Sequence, residues 1–282
     1  MKSHSTYQNP AVYFHTGLGK VASKYFQFHV FPTFKDIRYI RTKKFYRSVP
    51  EINKGRFPSY IVSREFDTTL KEEVGKFAKH FPDAHPILML RKHDEWIESQ
   101  YKRFIKNGYR KSFNEFIDLD KDQGRFDIDC LNFYGKIEFL ETTFGHGPLV
   151  MIYDDLISSP WNYIDRIANF CGATYNKANI STKAFHRSYS DKQLRFMQRI
   201  SRVIPIYSLT YSNSRIVRNL LRFPIYLFKY FILYFALIIP GKWIGNYPLI
   251  QPEDLARIRA YSAKDWEACL DYVASTQGDD RF

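Results

Sequence analysis

Cysteine is scarce in this chain of 282 residues: Cys130, Cys171 and Cys269 are the whole complement. The count is odd, and no Cys-x-x-Cys pair or Cys/His cluster occurs. That pattern speaks against a disulfide framework or a structural zinc site and points to a reducing compartment. The opening residues, MKSHSTYQNP, carry no apolar stretch, so no secretory signal is expected and a cytoplasmic location is. Acidic residues are missing from residues 192–252, which hold nine basic ones: Lys192, Arg195, Arg199, Arg202, Arg215, Arg218, Arg222, Lys229 and Lys242. An apolar run long enough to span a bilayer is also missing. The longest, residues 223–239 (FPIYLFKYFILYFALII), is interrupted by Lys229. As a helix it reaches about 25 Å, short of a hydrocarbon core of roughly 30 Å. There is no internal repeat, no metal-ligand spacing and no Walker A loop, because Val21 follows Lys20 where Ser or Thr would be required.

Aromatic residues are plentiful, with 25 Phe, 21 Tyr and 4 Trp, and apolar residues make up 45%. A sizeable core is available, and a disordered or collagen-like chain is excluded. Lys plus Arg number 42 against 29 Asp plus Glu, a net charge of +13. The excess favours an anionic partner: nucleotide, polyphosphate, nucleic acid or anionic lipid.

Strand and helix signals alternate along the first two thirds of the chain. Short apolar runs at 11–15 (AVYFH), 60–63 (YIVS), 86–90 (PILML) and 149–153 (LVMIY) read as buried strands. Helical spacing follows each, at 20–28, 69–81, 94–107 and 160–171. The alternation predicts an α/β fold, a parallel β-sheet flanked by helices on both faces. Residues 1–190 are expected to form this domain, 191–248 a basic and apolar helical appendage that contacts a membrane or an interface, and 249–282 a closing helix of the α/β domain.

Strand 11–15 runs into a glycine turn, Gly17-Leu18-Gly19-Lys20-Val21-Ala22-Ser23-Lys24. Several uses are open to it. Gly17, Gly19 and Ala22 fit the dinucleotide fingerprint GxGxxA, with Asp36 near the distance of the required acid. A plain tight turn is another possibility. A third is a cradle for a phosphosulfate, with backbone amides at a helix start facing the anion, an ammonium from Lys20 and a hydroxyl from Ser23.

The third use is the one the wider pattern favours. The chain resembles the sulfotransferases that use 3′-phosphoadenosine-5′-phosphosulfate (PAPS), whose bacterial members open with a strand and an HxGLPKTGTT-like loop. Here that segment is His15-Thr16-Gly17-Leu18-Gly19-Lys20-Val21-Ala22-Ser23-Lys24, with Val21, Ala22 and Lys24 in place of the usual Thr, Gly and Thr. A second family motif, an arginine after a strand and a serine eight residues on, is matched by Arg91 and Ser99, followed by Gln100-Tyr101. A third, a tyrosine–acid–leucine segment, is matched by Tyr153, Asp154, Asp155 and Leu156 and reads as structural.

The resemblance implies a P-loop-NTPase-like sulfotransferase fold. It also implies PAPS as donor, 3′,5′-bisphosphoadenosine (PAP) as product, and no metal. Residues 17–24 would hold the phosphosulfate, Lys20 would act on the leaving phosphate oxygen, and Arg91 with Ser99 would hold the 3′-phosphate. Arg187, in the loop His186-Arg187-Ser188, is a further candidate for a phosphate. Glu65, just past the second strand, is the candidate base, and His15 is second to it. An acceptor hydroxyl or amine is expected, on a saccharide or glycolipid if the basic, apolar segment holds the protein at an anionic membrane surface, on its inner face. Nucleic acid is not expected as a partner, and a homo-oligomer is possible. The alternatives are a membrane-binding protein on a lapsed sulfotransferase fold and a nicotinamide-dependent Rossmann oxidoreductase.

Overall fold

The computed structural model describes residues 7–181, 189–204, 206 and 215–277. In chain order the elements are β1 (Ala11–Gly17), α1 (Ser23–Tyr25), β2 (Arg38–Ile40), α2 (Ser48–Ile52), β3 (Ser59–Glu65), α3 (Leu70–Ala78), β4 (His85–Leu90), α4 (His93–Lys106), α5 (Tyr134–Phe144), β5 (Leu149–Ile152), α6 (Tyr153–Ser158), α7 (Pro160–Phe170), α8 (Asp191–Val203), α9 (Arg215–Ile238), α10 (Gly241–Ile244), α11 (Pro252–Tyr261) and α12 (Ala263–Gln277). Two compact units result. Among the described residues the first takes 7–93, 129–181 and 262–277, the second 94–128, 189–204, 206 and 215–261. Their limits differ from the compositional ones near 190 and 248.

The first unit holds a five-stranded sheet in the order β2-β3-β1-β4-β5, parallel throughout. Consecutive residues of β4 and β5 are buried, from Pro86 to Leu90 and from Leu149 to Ile152. Successive side chains point to opposite faces of a strand, so both faces of the sheet are covered. The fold is the α/β architecture expected from the alternating pattern. Phe14 sits at its centre, fully buried, 4.1 Å from Phe77 between ring centroids and packed with Phe45 and Phe66.

Three features depart from the sequence reading. The edge strand β2 was not anticipated: it has three residues with only Ile40 buried, too few to make a pattern. The helix expected from 20 begins at Ser23 and winds on in π-type geometry through Phe26–Val30. The closing helix is two helices, interrupted at the buried Ser262, where no glycine or proline marks a break. The strand order also bears on the nicotinamide alternative. A dinucleotide-binding sheet sets β2 beside β1 and ends β2 near an acid. Here β3 lies beside β1, and Asp36 precedes β2, where it accepts a 2.9 Å hydrogen bond from Thr174. Both observations count against that alternative.

In the second unit, α4 carries an aromatic cluster. Trp96 and Tyr101 are buried, and Phe104 packs against Phe116 and Phe126 at 5.2 and 5.7 Å. The Tyr101 hydroxyl donates to the Lys111 carbonyl at 2.9 Å. Asp94, buried near the start of α4, accepts from Arg259, at 2.9 Å from Nε and 2.6 Å from an Nη.

Candidate active site

In open parallel sheets ligands bind beyond the carboxyl ends of the strands. The candidate residues gather at that edge in the first unit. Gly17 ends β1, Glu65 ends β3 directly opposite Gly17 in register, and Arg91 follows Leu90 at the end of β4, the strand on the other side of β1.

The loop from Gly17 to Ala22 is built from both ends. Leu18 and Val21 are fully buried, which accounts for apolar residues at both positions. Lys20 and Ala22 have φ of +71° and +65°. That conformation costs an L-residue roughly 1–2 kcal/mol, and glycine would take it without strain. The Ser23 hydroxyl donates to the Leu18 carbonyl at 2.8 Å, so it closes the loop. Lys20 and Lys24 are exposed, the arrangement needed for an ammonium to meet an incoming anion.

Gly17 is required by its surroundings. A Cβ there would lie 2.7 Å from His15 Nε2 and 2.9 Å from Ser23 Oγ. Gly17→Ala is expected to destabilise the protein by about 1–3 kcal/mol through overpacking, read as a lower urea midpoint. An unchanged midpoint would show that the loop yields freely. His15 itself is fully buried. Its Nδ1 is 2.7 Å from the Ser63 hydroxyl, which also accepts from Gln27 Nε2 at 3.0 Å. Burial pushes the imidazole pKa down to about 3, which makes His15 a weak base and leaves the acids at the end of β3 as the stronger candidates.

One of those acids escaped the sequence reading. Asp67 Oδ1 accepts the Gly19 amide at 2.7 Å. The loop amide assigned to the donor thus already holds an anionic oxygen, which shows that it can take one. A donor oxygen reaching it has to displace the carboxylate. The only sequence signal was a second acid two residues past Glu65. Tyr153 was also undervalued: the Arg91 guanidinium lies 4.6 Å from its ring centroid, a stacking contact that orients the guanidinium plane. The neighbouring Lys92 pairs with Asp154 at 3.1 Å. Ser99 is half-buried on α4 and belongs to the second unit. Arg187 lies outside the described residues. Among the described residues no group of three or more His, Cys, Asp or Glu side chains could hold a metal ion.

No protein-family model and no curated protein matches the chain. Among solved structures the chain is similar to the crystal structure of a sulfotransferase from Alicyclobacillus acidocaldarius. The TM-score is 0.51 and the identity 12%, covering 68% of this chain and 92% of that one. What the two share is the fold, a five-stranded all-parallel sheet flanked by helices.

Proposed function

We propose that this protein is a sulfotransferase that moves a sulfuryl group from PAPS to a hydroxyl or amine of an acceptor. The observation that carries the proposal is the carboxyl edge of the sheet: an exposed lysine in a glycine loop after β1, an arginine after β4 and an acid after β3. The shared fold with a sulfotransferase supports it.

Such a transfer depends on positioning and on charge stabilisation more than on covalent chemistry, as in phosphoryl transfer. The loop 17–24 grips the phosphosulfate, and Arg91 holds the 3′-phosphate through its forked donors. Glu65 takes the acceptor proton while the acceptor oxygen or nitrogen forms its bond to sulfur. The bond from sulfur to the phosphate oxygen breaks, and its electron pair stays on that oxygen, which Lys20 stabilises. Sulfated acceptor and PAP leave. The roles of Ser99 and Arg187 on the 3′-phosphate rest on the sequence alone. A saccharide or glycolipid acceptor and a place on the inner face of a membrane are finer parts of the proposal. The membrane part rests on the exposed face of α9, independently of the chemistry.

Calorimetric titration with PAP tests the donor site, with NADH as the control. Binding of PAP alone is expected, weakened about 30- to 150-fold in Arg91→Ala, the equivalent of about 2–3 kcal/mol for a charged hydrogen bond. Absence of PAP binding, or equal binding by the variant, would remove the donor assignment.

A further inference from the structure

The second unit leaves one face of α9 uncovered. Ile232, Leu233 and Ala236 are buried, and the Leu233 carbonyl accepts from Gln193 of α8 at 3.0 Å. The opposite side presents Phe223, Leu227, Phe231, Tyr234 and Ile238, each more than half exposed and the last 80% exposed. These positions recur at intervals of three and four residues and so form one stripe of the helix. Soluble proteins rarely leave so large a contiguous apolar stripe without a partner. Past the helix end Trp243 and Tyr247 are 69% and 50% exposed. They are polar-tipped aromatics of the kind that settle at a membrane–water boundary.

The charge around this stripe says what covers it. Residues 192–252 hold nine cations and no acid. Lys192 donates to the Leu237 carbonyl at 3.2 Å, Lys229 to Asn107 at 3.4 Å, and the Lys106 ammonium sits 5.6 Å from the Tyr230 ring. Arg195 and Arg199 of α8 donate to the carbonyls of Gly245 and Trp243, both at 2.8 Å. These bonds fix the turn that bears the exposed aromatics. A second copy of the chain on the stripe would bring two acid-free cationic segments together, which repel. An anionic bilayer attracts the same segment.

We infer that α9 lies in the plane of an anionic phospholipid bilayer, with its outer stripe in the headgroup–acyl boundary and α8 on its water side. One face of α9 is packed on α8, and the other is the face left for the bilayer. Among the described residues no helix is long and apolar enough to cross a membrane.

The test uses the full chain and vesicles of mixed phosphatidylcholine and phosphatidylglycerol, with pure phosphatidylcholine as comparison. Co-sedimentation with the anionic vesicles is expected, falling at least about tenfold in Leu227→Ser/Phe231→Ser/Ile238→Ser. No binding by the natural chain, equal binding to neutral vesicles, or binding unaffected by the triple substitution would overturn the inference. So would a dimer that the same substitutions dissolve in a chain that ignores vesicles. Should circular dichroism show the triple variant unfolded, the natural chain decides by quenching with brominated acyl chains. Quenching lost in Trp243→Phe supports insertion, and absence of quenching overturns it. Neither readout depends on PAP binding, so the inference and the sulfuryl-transfer proposal can fail separately.

Discussion

Replacing Lys20 with alanine is expected to lower kcat for sulfuryl transfer by about 10²–10³, the loss seen when one preorganised group facing transition-state charge is removed. In the proposed reaction negative charge grows on the leaving phosphate oxygen as its bond to sulfur breaks. A neutral methyl at position 20 leaves that charge to the loop amides. The Gly19 amide is engaged by Asp67 at 2.7 Å until the donor displaces the carboxylate. Stability should shift by less than about 1 kcal/mol, because the Lys20 side chain is exposed and contacts of exposed ammoniums contribute little. The strained φ of +71° is borne equally by lysine and alanine. The effect should therefore fall on kcat with PAP affinity less changed, whereas Arg91→Ala should fall on affinity. Single-turnover kinetics separates the two. A Lys20→Ala enzyme within about threefold of the natural rate would end the assignment of this lysine to the leaving group.

His15 is expected to give the largest pH effect on stability. Its pKa falls from 6.5 to about 3 because the ring is fully buried. The unfolded chain therefore binds a proton below pH 6.5 that the folded chain refuses until about pH 3. Where the unfolded state binds more protons, stability rises with pH. The contribution is complete above pH 6.5 and is lost as pH falls towards 3, about 4–5 kcal/mol in all at about 1.4 kcal/mol per unit. His15→Asn keeps a partner for the Ser63 hydroxyl and cannot titrate. It costs some stability at neutral pH through the smaller side chain, and its stability should decline less steeply in acid. Urea midpoints from pH 6.5 down to pH 5 should separate the two slopes by about 2 kcal/mol over the interval. Every other ionisable group is common to both proteins, so parallel curves would place the imidazole in contact with water.

Much of the architecture was legible because its signals are local. Runs such as Ile87-Leu88-Met89-Leu90 and Leu149-Val150-Met151-Ile152 are too short and too continuous to be anything but buried strands once helical spacing follows them. The loop from Gly17 to Ser23 was legible for the same reason. The Arg91–Ser99 spacing was visible, but spacing alone does not say what the two groups share. Other features were hidden. β2 is three residues long and joins the sheet because β3 offers it an edge. The carboxylate of Asp67 reaches Gly19 across 48 positions of sequence. Arg195 looks like a surface cation by its helical spacing, yet it is buried with a Gly245 carbonyl as its partner.

Composition and periodicity alone were enough for an α/β sheet protein with a basic loop after its first strand and an acid-free, aromatic-rich segment beyond residue 190. These follow from the repeat of side chains along a strand or helix, which any short window of chain displays. The strand order β2-β3-β1-β4-β5, the meeting of Gly17 with Glu65, the guanidinium of Arg91 over Tyr153 and the side of α9 left bare were decided by the tertiary structure. Each joins groups far apart in the chain. Such meetings are set by which surfaces bury one another and which polar groups find partners, and no local pattern records that.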